Sequence, residues 1–163
     1  MSLQPIPLEK YWAFAEPLFA KGERQITLQV VEEVYNRFHG VTANIQRIMN
    51  LLYMLTPAGG KCALEMVEMA IDTYLRMSSE AYATLLKQMP EKQRNVFLAI
   101  ASEHRVRNVS GSKFVHKYRL PSASGVVSAV RGLLEKDFVT HEGDDYYVYD
   151  QFFQLWLEAS GQV

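Results

Sequence analysis

Apolar positions along this chain recur mostly at helical spacing. Val30, Val31, Val34 and Phe38 form one face after Thr27, which can cap a helix, and Gly40 suits the residue just past its end. Thr42 can cap a second helix with Ile45, Ile48, Met49, Leu52 and Leu55 on one stripe, broken by Pro57, Gly59 and Gly60. A third helix is predicted from Leu64, Val67, Ile71 and Leu75. Ser78 or Ser79 opens a fourth, with Tyr82, Leu85, Leu86 and Met89 inward. Pro90, as a first-turn residue, starts a fifth, with Val96, Phe97, Ile100 and Ala101 buried.

After His104 the pattern changes. Val106-Arg107-Asn108-Val109 reads as a short strand. Ser112 caps a short helix with Phe114, Val115 and Tyr118. Leu120-Pro121-Ser122 is a tight corner, and Ser122 or Ser124 caps a helix with Val126, Val127, Val130, Leu133 and Leu134, which Asp137 ends. Phe138–His141 and Tyr146–Tyr149 read as two strands around the loop Glu142-Gly143-Asp144-Asp145. Asp150 caps a last helix bearing Phe152, Phe153, Trp156 and Leu157. From Pro90 to Tyr149 this order is that of a winged helix-turn-helix. The expected fold is mainly α: a small helical bundle, then a winged helix-turn-helix with a β-hairpin wing.

The segment before the bundle, Tyr11-Trp12-Ala13-Phe14-Ala15 through Phe19, is aromatic-rich and ends at Lys21-Gly22-Glu23. So short an apolar piece must pack on something, either the following bundle or a further domain. Met1-Ser2-Leu3, followed at once by polar and proline-containing sequence, is expected to be an added start on a piece of a longer protein.

Hydrophobic residues make up 48% of the 163 positions, enough for a packed core. No apolar run reaches the ~20 residues that span a bilayer, and no signal-peptide pattern is present, so no membrane partner is expected. With a single cysteine, Cys62, no internal disulfide forms, and a cytoplasmic location is the simple expectation.

Charge changes the picture through its distribution. The formal net charge is −1, yet the stretch from His104 to His141 holds seven Lys/Arg and two acids, a local +5. Lys113, Lys117, Arg119 and Arg131, with Ser122, Ser124 and Ser128 on the exposed side of the expected recognition helix, are the candidates for nucleic-acid or partner binding. Short polar residues let a helix approach a groove, and cations neutralise phosphates. Against DNA stand the lack of Asn or Gln on that helix to read bases and the acidic wing. Docking of a protein partner is the favoured expectation.

Catalytic and metal readings fail on spacing. Gly59-Gly60-Lys61-Cys62 resembles the end of a phosphate loop. However, Leu55 stands where the first glycine is needed, and Cys62 replaces the magnesium-binding Ser/Thr. His39, His104, His116 and His141 show no ligand spacing, so no metal site is expected. No strand leads into Ser124, so it is a capping residue and not a nucleophile. Glu32-Glu33 and Glu65/Glu68 mark solvated helix faces. No catalytic residue is expected.

Leu120-Pro121-Ser122-Ala123-Ser124, Gly132-Leu133-Leu134-Glu135-Lys136 and Tyr149-Asp150 with Phe152-Phe153 and Trp156-Leu157 resemble the winged helix of prokaryotic AAA+/STAND-type (archaeal-type) P-loop ATPases. The resemblance covers nearly the whole chain. It implies that residues 1–25 are the tail of an ATPase core, 26–77 a helical lid-like subdomain, and 78–163 the winged helix-turn-helix with its C-terminal helix. In that family a Gly-x-Pro element followed by Gln opens the second lid helix beside the nucleotide. Gly40, Thr42 and Gln46 match those positions, with Thr42 where Pro is usual. The family's Walker A loop, Walker B acid and sensor residues are absent from this sequence. The resemblance therefore implies a non-catalytic C-terminal piece, with no cofactor of its own, acting as a regulatory and interaction module. ATP and magnesium belong to the full-length parent, and the ATPase core is a partner in cis. The alternative is a free-standing winged-helix DNA-binding regulator.

Overall fold

A computed structural model describes residues 4–163. The chain divides into two compact units, Met1–Met77 and Ser78–Val163, and each is described by itself.

The first unit contains α1 (Leu8–Lys21), α2 (Leu28–Arg37), α3 (Thr42–Leu55) and the start of α4 (Met66–Gln88). Its core is the meeting of the apolar stripes read above: Val31 and Val34 of α2, Ile45, Ile48 and Leu52 of α3, and Val67 and Ile71 of α4 are all buried. The aromatic segment is helical and packs on the bundle. Phe19 of α1 is buried and lies edge-on to Tyr53 of α3, with ring centroids 5.3 Å apart. Arg24 locks the far end. Its guanidinium lies over the Tyr53 ring at 4.2 Å, and its Nε donates to the Thr56 carbonyl at 2.6 Å.

The second unit contains α5 (Glu91–Glu103), β1 (Val106–Arg107), α6 (Ser112–Lys117), α7 (Ala123–Glu135), β2 (Val139–Glu142), β3 (Asp145–Val148) and α8 (Gln151–Ala159). Its fold is a winged helix: three helices cover one core, and an antiparallel sheet of order β1-β3-β2 closes it. α5 and α7 pack against each other closely. A Cβ at Gly132 would lie 2.3 Å from Gln93 Nε2, so the glycine makes room for the neighbouring helix. β2 and β3 meet in register Val139 to Val148, and only Gly143 and Asp144 lie between them. Gly143 has φ of 58°, the left-handed backbone that primed hairpin turns use. Ser122 caps α7, accepting from Gly125 N–H at 3.0 Å. Asp150 caps α8, accepting from Phe152 N–H at 2.9 Å, and its other oxygen accepts from the Tyr82 hydroxyl at 2.8 Å.

α8 holds the unit together. Phe152, Phe153, Trp156 and Leu157 are all buried. Phe153 is the hub of an aromatic cluster. Its ring stacks on Tyr82 at 4.6 Å and meets Phe97, Trp156 and Phe138 edge-on at 5.1, 6.1 and 6.4 Å. The buried indole of Trp156 donates to Ser79 Oγ at 3.0 Å, which satisfies its polar atom.

Several sequence expectations are corrected. No break occurs at Ser78 or Ser79: α4 runs through both. Serine costs a helix only a few tenths of a kcal/mol relative to alanine, and no Gly or Pro interrupts the stripe. Thr42 and Ser112 are first helical residues, because Val41 and Gly111 occupy the cap positions without side-chain bonds. Thr42 instead shares a hydrogen bond with the Tyr11 hydroxyl at 2.6 Å. Pro90 stands one residue earlier than expected, at the N-cap of α5. Leu64 precedes α4 and is exposed, as is Leu85. Strand β1 stops at Arg107, since Asn108 turns the chain with φ of 62°. The hairpin is tighter than the sequence suggested, with Glu142 and Asp145 paired in the ladder.

Truncating Trp156 to Ala is expected to cost about 3–5 kcal/mol, the usual loss for a buried aromatic. Removing only its hydrogen bond, with Ser79→Ala, is expected to cost about 1 kcal/mol. Urea denaturation of both variants checks this. Melting of Trp156→Ala within a degree or two of the parent would show that α8 is not docked.

Candidate functional site

The exposed face of α7 is built by helical spacing. Val126, Ala129, Val130 and Leu133 turn inward, which leaves Ser124, Val127, Ser128 and Arg131 on the solvent side. Ser122 is committed to the cap, and its hydroxyl lies 3.3 Å from that of Ser124. Lys113 and Lys117 are exposed on α6. Arg119 is exposed just past its end, where φ of 53° turns the chain into the Leu120-Pro121 corner. The seven polar candidates therefore lie on α6, on α7 and at their junction.

The cations are not all available there. Lys117 Nζ lies 2.5 Å from Glu103 Oε1, and the same carboxylate accepts from the Tyr118 hydroxyl. Glu103 is held below its ordinary pKa, chiefly by the hydrogen bond from Lys117 and then by that from Tyr118. The Lys117 ammonium is raised in turn by its bond to Glu103. Arg105 is similarly engaged: its guanidinium reaches Glu142 at 3.3 Å and Asp145 at 3.7 Å, and lies over the Tyr147 ring at 4.4 Å. Glu142 is lowered by the bond from Arg105 and then by that from Tyr147. Sheet register adds one more opposition, placing Arg107 across from Asp145. Lys113, Arg119 and Arg131 form no salt bridge among the described residues.

The basic segment of the sequence is thus partly neutralised in space, at Arg105 and Lys117. Extending the count from His104–His141 to Glu103–Asp145 keeps seven Lys/Arg but raises the acids to six, a net of +1. The four added acids are Glu103 and the wing's Glu142, Asp144 and Asp145; Glu103 and the pairing of Glu142 and Asp145 with Arg105 were missed from the sequence. The signal was present: Glu103 lies one residue outside the counted stretch, and a hairpin returns its second strand beside its first.

Of Gly40, Thr42 and Gln46, the last two line one groove and Gly40 is not among its lining residues. Gly40 ends the turn after α2, with φ of 73° and its N–H bonded to the Tyr35 carbonyl at 3.0 Å, and it is buried. Thr42 and Gln46 line an open groove of about 770 Å³ between α1 and α3, whose other walls are mainly apolar and aromatic. Among the described residues no group of His, Cys, Asp or Glu is placed to hold a metal ion. No described helix is long and apolar enough to cross a membrane.

Residues 80–159 match the model of a family described as a probable winged helix domain. No curated protein and no solved structure matches the chain.

The Glu103 pairing makes a pH-dependent prediction. A carboxylate whose folded pKa is depressed stabilises the fold above its unfolded pKa, and this is lost as pH falls through the folded value. NMR titration of the Glu103 side-chain carboxyl is therefore expected to give a midpoint below the ~4.3 of a free glutamate. Lys117→Ala is expected to move that midpoint up. A midpoint unchanged by Lys117→Ala would show that the pair does not persist in solution.

Proposed function

We propose that this chain is a non-catalytic regulatory and interaction module. Its winged helix docks a protein partner, and its helical first unit is the lid of an AAA+/STAND-type P-loop ATPase. The observation that carries the docking reading is the face of α7. It offers small side chains, Val127 and a single cation, Arg131, with no Asn or Gln to read an adenine, beside an acidic wing. A surface of that kind suits contact with protein better than a phosphate backbone does.

The ATPase reading rests on the resemblance. The order helical bundle then winged helix supports it, as does the placement of Thr42 and Gln46 on one groove. The residues present do not fit a nucleotide by themselves. The Thr42 hydroxyl is committed to Tyr11, and no glycine-rich phosphate loop stands near it. ATP and magnesium are therefore assigned to the core of the parent, where they supply phosphoryl-transfer chemistry. Here α1 packs against α2 within the first unit. Calorimetric titration with magnesium-ATP is expected to show no micromolar binding and no hydrolysis; micromolar affinity would overturn this assignment.

A second reading, DNA binding, is favoured by Lys113, Arg119 and Arg131, which are exposed and outside salt bridges. Binding of this kind is weak, independent of sequence and salt-sensitive, falling roughly 0.9 log units per log salt for each phosphate contacted. Changing Lys113, Lys117, Arg119 and Arg131 to Ala is expected to abolish it on every duplex alike, whereas Glu103→Gln, which releases Lys117, is expected to strengthen it. Titration of labelled duplexes of unrelated sequence at two salt concentrations checks this. Tight binding to one duplex, persisting at high salt, would show that α7 reads bases and would end the protein-docking reading.

A further inference from the structure

The groove between α1 and α3 has properties that the winged helix does not explain. Its α1 wall presents Phe14 and Leu18 to solvent, at 71% and 47% exposure, although both are large and apolar. The charged side chains lining it are two lysines, Lys10 and Lys21, one toward each end of α1. Helical geometry puts both on the same side of α1 as Phe14, because eleven residues are close to three turns. The acids of α1, Glu9 and Glu16, fall on the opposite side by the same geometry and are absent from the lining. The facing helix α3 contains no carboxylate at all, and contributes Met49, Tyr53 and the polar Gln46 and Asn50.

We propose that this groove is the docking site for an amphipathic helix of a partner protein, whose apolar stripe is flanked by acidic residues. Two observations select that occupant. The first is charge: a cation stands toward either end of α1, and no carboxylate lies in either wall to compete for it. The second is length. Eleven residues at 1.5 Å each separate Lys10 from Lys21 by about 16 Å along the helix, room for about three turns of a partner laid alongside. Two helices packed side by side leave a groove that a third fills with side chains at i, i+3, i+4 and i+7. Phe14, Leu18 and Met49 supply the apolar contact, and the lysines fix which partner fits and in which register. The inference does not rest on the ATPase reading, since it uses the groove alone.

A fluorescent 16-residue peptide of Ala, Leu and Glu, with leucines at i, i+4, i+7 and i+11 and glutamates beside them, probes this in anisotropy titrations against the full chain. Saturable binding is expected. Phe14→Asp is expected to weaken it tenfold or more, as is the double change Lys10→Glu with Lys21→Glu. The second variant is expected to bind a peptide whose glutamates are replaced by lysine in preference to the acidic one. All three side chains are exposed, so circular dichroism is expected to show unaltered folding. Equal affinity for a peptide of the same composition with its leucines scattered around the helix would overturn the proposal, as would affinity indifferent to the charge reversal. Self-association of the chain that Phe14→Asp abolishes, without peptide binding, would assign the groove to a second copy instead. Saturable binding of laurate in calorimetric titration, with no peptide binding, would overturn the proposal and assign the groove to a small amphiphile.

Discussion

The second unit depends on one ring. Phe153 touches Tyr82, Phe97, Phe138 and Trp156, and these four come from α4, α5, the start of the wing and α8. Edge-to-face and offset contacts of this kind add to the area each ring buries. Their packing joins α4, α5, the wing and α8, and α7 buries Val126, Ala129, Val130 and Leu133 in a close packing on α5, which leaves its other side to solvent. The polar ties follow the rings. Tyr82 and Trp156 can donate to Asp150 and Ser79 because their rings are already seated beside Phe153. The exposed strip of α7 is what remains after that core has claimed the rest of the helix.

Electrostatics of the surface cannot be read by counting along the chain. Lys117 and Arg105 lie in a stretch that looks strongly basic, but folding brings Glu103, Glu142 and Asp145 to them. In the extended chain these charges are separated. On the folded surface each pair sits within contact distance and is exposed to water, so it adds little stability yet offsets the charge of Lys117 and Arg105. What remains outside salt bridges on α6, on α7 and at their junction is Lys113, Arg119 and Arg131.

The winged helix was legible because its punctuation is strong. Ser122 and Asp150 are good caps and serve as such, and four aromatic or aliphatic residues at one helical face announced α8. Other boundaries were less readable, for a physical reason. Helix α5 is followed by His104 and α6 by Arg119, each in the left-handed region that glycine normally occupies, so no glycine marked the ends. The continuity of α4 was hidden by two serines that cap as readily as they continue a helix. The groove was half legible. The aromatic run from Tyr11 to Phe19 showed that a surface needed covering. Which residues stay uncovered depends on how α1 lies against α3, and no spacing along one helix reveals that.

The bond between Tyr82 and Asp150 joins positions 68 residues apart. A ribosome delivers the chain from its N-terminal end, so Tyr82 and Phe97 emerge well before Phe153 can reach them. Until the last helix clears the exit tunnel, Tyr82 and Phe97 lack the ring that joins them. The unit is therefore committed to folding late, after synthesis of nearly all of the sequence described here, and holding that apolar surface out of trouble in the interval falls to whatever meets the nascent chain.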